Sequence, residues 1–263
     1  MTVEKEGTDT PYEIRKKIRA GEITGPTAGM CPGYAQANLV VLPQKYAFDF
    51  LLFSVRNMRS CPILEVTNPG GRKLRHLGYD ADVATDIPKY RIYENGKMTG
   101  EYTDVIGFWR DDLVSFLIGC SFSFEEELIQ SGIEVRHITE HRNVPMYITD
   151  IPNEPAGIFG GTMVVSMRPI PCPLIPKAVA VTALMPKVHG APIQIGHPEM
   201  IGIRDIGKPD FGDAVSIYDG EEPVFWPCGV TPQEALMNSG VPFAITHSPG
   251  HMFITDIRNA ELK

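Results

Sequence analysis

The groups best suited to move protons at neutral pH are the seven histidines. His189 sits in Val188-His189-Gly190-Ala191-Pro192, a loop that can present its ring to a ligand or turn it onto loop carbonyls. His247 and His251 are four residues apart, the spacing of a metal pair on a helix. The intervening Ser248-Pro249-Gly250 dictates a turn instead, so no metal site is assigned and a divalent metal is left open. Ser121 and Ser123 fall in Gly119–Phe124, read as a tight passage from one helix end to the next helix start, where free backbone N–H groups suit an anion. Arg110, Arg168, Asn143 and the Arg56-Asn57 pair stand at element ends as donors that could gather around a carboxylate. Taken singly, each is by default part of a structural ion pair, and Arg110-Asp111-Asp112 a solvated helical face; the anionic-ligand reading gains weight only if they converge.

Other chemistries are excluded by what the motifs lack. Gly202–Lys208 has the G-x-x-x-x-G-K spacing, but Pro209 stands where a phosphate-binding loop needs the hydroxyl that holds magnesium. Neither G-x-G-x-x-G, G-x-S-x-G nor H-E-x-x-H occurs. With 24 Lys+Arg against 32 Asp+Glu, the net charge is −8, and no basic run offers a surface to nucleic acid. No apolar run approaches the roughly 18 residues of a membrane span, and MTVEKEGTDT lacks a signal peptide's basic and apolar regions. Five cysteines, widely spaced and never in C-x-x-C, build neither a disulfide framework nor a zinc site. The expectation is a cytoplasmic protein with no nucleic-acid or membrane partner.

The elements that must position these groups are short and turn-bounded, in keeping with Gly 25 and Pro 23. Thr10-Pro11-Tyr12-Glu13 is a capping box opening a helix to about Ala20. Gly25–Asn38 reads as a small-residue loop, followed by a helix from Pro43 to about Arg56 and a strand at Cys61–Thr67. Asn95-Gly96 joins Lys89–Tyr93 and Lys97–Tyr102 as a hairpin. Val105, Trp109, Leu113, Phe116 and Leu117 form a stripe at helical spacing that predicts a helix from Thr103 to Gly119. Ser123-x-x-Glu126 predicts a capped helix after it. Beyond residue 133 the texture becomes strand-like, with stretches at Ile133–Ile138, Met146–Asp150, Thr162–Met167, Ala178–Leu184, Pro192–Ile195, Ala214–Tyr218, Val224–Trp226, Phe243–His247 and Met252–Thr255. Asp219-Gly220 is read as a hairpin turn, and one capped helix, Thr231–Gly240, interrupts. The reading is α+β: a mixed N-terminal subdomain over 10–150, a β-rich subdomain over 151–258 and a flexible tail at 1–9, all within one family domain. Val224–Trp226 would serve a homodimer as readily as a core.

Long blocks of the chain resemble one known family. GPTAGMCPGYAQANLVVLP (25–43), FWRDDLVSFLIGCSFSFE (108–125), VRHI (135–138), NVPMY (143–147) and VSMRP (165–169) are similar to the D-glutamate cyclase family of hydro-lyases. So are VHGAPIQIG (188–196), KPDFGDAV (208–215), PVFWPCGVTPQ (223–233) and THSPGHM (246–252). Departures are small: Met30-Cys31 replaces smaller residues, and Ser248 stands where the family usually has Ala. The resemblance implies a small amino or carboxylic acid substrate and cyclisation of D-glutamate to 5-oxo-D-proline with loss of water, without a nucleotide or other cofactor. Ring closure within one molecule exploits a large effective molarity. It still requires a base for the ammonium, an acid for the departing oxygen, and donors for both carboxylates. For that chemistry His189 and His247 are expected to exchange the protons, with Asp213 as orienting or alternative base. Arg110 or Arg168 would hold the α-carboxylate, Ser121, Ser123 and Asn143 would be neutral donors, and Tyr34 and Gln36 would line the pocket. Cys228 is open to two readings, acyl-forming nucleophile or buried structural thiol. The alternatives are a hydro-lyase or isomerase reaction on another small carboxylic acid, or non-catalytic binding of one.

Overall fold

Strand β1 (Tyr34–Pro43) is buried along its whole length after Tyr34, and the rest of the molecule is arranged around it. Its side chains alternate between two cores: Ala37, Leu39 and Val41 face one way, Val40 and Leu42 the other. A strand covered on both faces reads as a continuous apolar run rather than an alternation. That is why Leu39–Leu42 is apolar throughout. The computed structural model describes residues 9–263, so the expected tail lies, apart from Asp9, outside the described residues.

The elements before it and after it in the first half are α1 (Pro11–Arg19), α2 (Gln44–Arg56), β2 (Ile63–Val66), β3 (Tyr90–Glu94), β4 (Lys97–Tyr102) and β5 (Leu113–Gly119). Then come α3 (Phe122–Gln130), α4 (Arg136–Thr139), β6 (Met146–Pro152), β7 (Thr162–Pro171), α5 (Ile175–Ala183), β8 (Gln194–Ile195) and β9 (Glu221–Pro227). The chain closes with α6 (Thr231–Ser239), β10 (Phe243–His247) and β11 (Phe253–Arg258). The fold is α+β, with two antiparallel sheets. The larger has the order β2-β5-β1-β10-β3-β4, with β11 also paired to β1; the smaller is β6-β7-β9-β8. The change of sheet falls near residue 150, but β10 and β11 return to the first sheet. The expected C-terminal unit 151–258 therefore contributes to both.

One edge of β1 pairs with β5, from Ala37↔Gly119 to Pro43↔Leu113. The other edge is shared, β11 taking the first half and β10 the second. Phe50 and Phe53 of α2 pack with Phe116 and Phe159 over one face of this sheet. A separate core joins Ala35 of β1 to Phe124 and Leu128 of α3, Ala178 of α5, and Val224 and Trp226 of β9. There the two sheets meet.

The capping box of α1, the Asn95-Gly96 hairpin, helix α6 and strand β10 lie where the sequence placed them. Several others do not. The helix predicted to end at Gly119 is a single 3-10 turn at Ile106–Phe108 followed by strand β5. Leu113–Gly119 is buried on both faces, and such a run satisfies strand and helix patterns alike. The strand predicted at Ala178–Leu184 is helix α5, started by Pro176 in its first turn. Ile133–Ile138 bends into the one-turn α4, and the predicted loop 25–38 ends early because β1 begins at Tyr34. Ala214–Tyr218 carries no strand, so Asp219-Gly220 is a turn leading into β9 rather than a hairpin tip. Val224, Phe225 and Trp226 are wholly buried and present no surface to a second copy.

The last residue of β5 is held by a loop on its flank. A Cβ on Gly119 would lie 2.0 Å from the Lys187 carbonyl oxygen, displacing Lys187–His189. Gly119→Ala is expected to lose about 1–3 kcal/mol, the range for overpacking, read as a lower urea midpoint at unchanged slope. An unchanged midpoint would mean that the loop does not bear on the strand.

Candidate functional site

Two strand-to-helix turns converge where the sheets meet. β5 runs through Cys120-Ser121 into α3, and β9 runs through Cys228-Gly229-Val230 into α6. In each turn the cysteine sulfur accepts a backbone N–H two residues on: Phe122 to Cys120 at 3.5 Å, and Val230 to Cys228. Burial pushes both thiols up, Cys228 to about 11 and Cys120 further, so both remain protonated at neutral pH. A protonated, buried thiol is a poor nucleophile, which favours the structural reading of Cys228.

Between these turns lies a small cavity, with about 10 Å³ of room for a water centre, room enough for about one water molecule. Asn38, Cys120, Ser121, Cys228 and His247 line it together with apolar side chains. His247 is fully buried, and its Nδ1 lies 3.1 Å from the Leu39 nitrogen and 3.3 Å from the Leu39 carbonyl oxygen. Its Nε2 has no hydrogen-bond partner among the described residues. Asn38 is held by two donations, to the carbonyls of Ile118 and Gly119. Gly229 is required beside it, because a Cβ there would stand 1.9 Å from the Asn38 amide nitrogen.

Phe122 lines this cavity and also a larger, open chamber of about 340 Å³. The chamber is walled by the Gly29–Gly33 loop, Tyr34, Gln36, Glu125 and Glu126. Its floor holds a buried, ion-paired carboxylate, that of Glu125. Glu125 Oε1 accepts from Arg168 Nη2 at 2.5 Å and from Arg168 Nε at 3.1 Å, and His137 Nε2 lies 3.3 Å away. Arg168 is itself fully buried, donates to Ser121 and Ser166, and packs between the rings of Phe124 and Trp226. Burial opposes ionisation of Glu125, but His137 and Arg168 outweigh it and hold the carboxyl below its usual range. Glu125 Oε2, by contrast, has no hydrogen-bond partner among the described residues. One carboxylate oxygen is clamped and the other is left free where Glu125 borders the chamber.

Of the residues singled out from sequence, Tyr34, Gln36, Ser121, Arg168 and His247 line or support these two spaces. Ser123 accepts the Gln36 N–H at 2.9 Å rather than capping α3, and the Gln36 amide is tied to Thr27. Asn143 stands one layer behind, donating to the Pro249 carbonyl and pressed against Gly250 of the small cavity. Asp213 is exposed and accepts the Asn143 N–H at 2.9 Å, so it orders that backbone from outside. Arg110 pairs with Asp112 and stacks on Phe243, at the opposite end of β10 from His247. His189 is buried and makes a 2.7 Å contact from Nδ1 to the Arg59 carbonyl, lining neither space. His251 Nδ1 meets the Pro249 carbonyl at 3.0 Å, and no group of three metal-ligating side chains gathers among the described residues.

Sequence reasoning passed over Glu125, His137 and Asn38. A signal existed for the first: Phe122, Glu125 and Leu128 are three apart, so the carboxylate shares the buried face of α3. His137 and Asn38 carried none, since a histidine in a short helix and an asparagine at the edge of an apolar strand have many uses.

Residues 114–256 match the sequence profile of the family described as D-glutamate cyclase. A protein of Clostridium beijerinckii, named "Putative hydro-lyase", is 66% identical over 253 residues, covering 96% of this chain and 97% of its own. Bacillus subtilis "Putative hydro-lyase YcsI" is 60% identical, covering 96% and 98%, and a Rubrobacter xylanophilus protein of the first name is 55% identical, covering 97% and 98%. The class is therefore that of the hydro-lyases. More particularly, the chain belongs to the D-glutamate cyclase family. Among the described residues no helix is long and apolar enough to cross a membrane.

The buried histidines set a pH dependence. Burial lowers His189 to about 4 and His247 to about 3 from the ordinary 6.5, so both are neutral in the folded protein. Above pH 6.5 neither state binds the protons and stability is level. Below it the unfolded chain takes up protons that the fold refuses, so stability falls until the folded values are reached. In urea titrations at stepped pH, His189→Gln should reduce the acid-side slope by about one proton. An unaltered slope would show that His189 is protonated in the fold.

Proposed function

We propose that this protein cyclises D-glutamate to 5-oxo-D-proline, releasing water. The observation that carries the reading is the divided Glu125 carboxylate, with Oε1 saturated by Arg168 and Oε2 free at the border of a chamber of amino-acid size. A free carboxylate oxygen there suits the substrate ammonium, holding it and accepting its first proton. The neutral amine then attacks the γ-carboxyl carbon of the same molecule. A C–N bond forms, a C–O bond breaks, and the two protons lost by nitrogen leave on the departing oxygen as water. Charge is conserved, since the substrate and the product each carry one net negative charge. Because both reacting groups belong to one bound molecule, orientation supplies much of the rate, and no nucleotide is needed in this reading.

Glu125 is kept ionised by Arg168 and His137, which makes it a strong ammonium partner and a weak base that returns its proton readily. Arg168 serves here as the counter-charge of Glu125, in place of the expected α-carboxylate clamp. His189 and Asp213 take no part in proton transfer in this reading, being engaged with Arg59 and Asn143. Tyr34 and Gln36 bound the substrate as expected of them, and Phe122 closes its inner side.

The test is incubation of purified protein with D- or L-glutamate and chiral detection of 5-oxoproline. Turnover of the D-isomer is expected, and Glu125→Gln should cut kcat/KM at least about 100-fold, within the range for a positioned proton acceptor. Circular dichroism and thermal melts would establish that the variant folds. Absence of 5-oxoproline from both isomers, or full activity in a folded Glu125→Gln protein, would overturn the reading.

A further inference from the structure

The small cavity between the two strand-to-helix turns is a second site, distinct in chemistry from the Glu125 chamber. We propose that it seats one oxygen of a substrate carboxylate, as an anion hole formed by the starts of α3 and α6 and by His247. Identifying that oxygen as the one leaving the γ-carboxyl rests on the D-glutamate reading above; the affinity for a carboxylate does not.

Three observations converge. First, α3 and α6 each have nine residues, and both begin at this cavity, so two helix dipoles direct positive potential into one space. The peptide N–H groups of Ser121 and Gly229, just ahead of the helices, have no acceptor among the described residues. Second, His247 is completely buried, and its Nε2 is unpartnered while the ring lines the cavity. Nδ1 lies 3.1 Å from the Leu39 nitrogen and 3.3 Å from the Leu39 carbonyl oxygen; the proposed anion hole uses the tautomer that accepts the nearer N–H, which puts the ring proton on Nε2. A buried donor without an acceptor is costly unless a ligand or water completes it. Third, the walls leave about 10 Å³ for a water centre, which suits one oxygen and excludes a whole amino acid.

Phe122 borders both spaces, so the chamber and the small cavity are neighbours, and the proposed carboxylate reaches past its ring with one oxygen. Within the turns the N–H groups of Phe122, Ser123, Val230 and Thr231 are already taken by Cys120 and Cys228. The donors left for a ligand are the N–H groups of Ser121 and Gly229 and the His247 ring.

The probe is formate, the smallest carboxylate, titrated into the whole protein and followed by calorimetry and by the ¹⁵N shifts of the His247 ring. Saturable binding to the wild type is expected, weakened at least about 10-fold in His247→Leu, the cost of a lost charge-assisted hydrogen bond. His247→Gln, which restores an N–H donor, should recover most of it. Because His247 is buried, a second variant leaves it intact: Val144→Ile adds one methylene to the cavity wall and should also abolish binding. Failure of formate to bind the wild type, or wild-type affinity in both His247→Leu and Val144→Ile, would overturn the proposal. Formate binding with this pattern but no turnover of D-glutamate would keep the anion hole and discard the cyclase reading. Turnover without the pattern would do the reverse.

Discussion

The buried pairing of Arg168 with Glu125 is the constraint on which the rest of the structure depends. Arg168 belongs to β7 in the smaller sheet, while Glu125 belongs to α3, which continues β5 of the larger. Neither charge could be buried alone, since an unpaired ion in the interior costs several kcal/mol. The pair therefore fixes the two sheets relative to each other at this point, with Ser121 and Ser166 taking the remaining guanidinium donors. It also decides which oxygen of Glu125 is spent on structure and which remains available. Replacing the pair with apolar residues would suit stability well enough, but it would remove the carboxylate oxygen that Glu125 leaves free at the chamber.

Around that pair the backbone is shaped by close approaches that only small residues permit. Gly119 lies under the Lys187 carbonyl, Gly229 against Asn38, and Gly250 against Asn143. Each brings a polar group of one element next to the backbone of another. The two cysteine turns fill space beside the helix starts, each sulfur accepting a backbone N–H two residues on. Burial of His247 keeps its ring neutral. Desolvation, usually a cost, here keeps the thiols protonated and the imidazole neutral, while Arg168 and His137 overcome it to keep the carboxylate ionised.

Much of this was legible in the sequence, and the failures have a common cause. Local signals worked where local geometry decides, as in the Thr10–Glu13 capping box and the Asn95-Gly96 hairpin, whose two residues both adopt positive φ. They failed where burial on two faces erases periodicity, as in Leu113–Gly119, whose apolar run served a strand as readily as a helix. Among site residues, Arg168 and Ser121 were singled out as donors at element ends and do meet. Arg110 was chosen on the same grounds and lies at the far end of β10. Nothing local distinguishes the two arginines; only the path of the chain does.

By itself, then, the sequence determined the family, the α+β class, the Thr10–Glu13 cap, the Asn95-Gly96 hairpin and a set of polar residues set beside glycine and proline, whereas the side-chain caps read for α3 and α6 do not form. Those properties are written in residue type and near-neighbour spacing, which is the range over which backbone sterics and capping act. Tertiary structure alone decided that Glu125 is clamped on one oxygen and free on the other, that His247 lines a water-sized cavity while His189 is engaged elsewhere, and that two helix starts meet. Those outcomes depend on which distant groups share a desolvated space, and the strength of every charge and hydrogen bond there is set by that space.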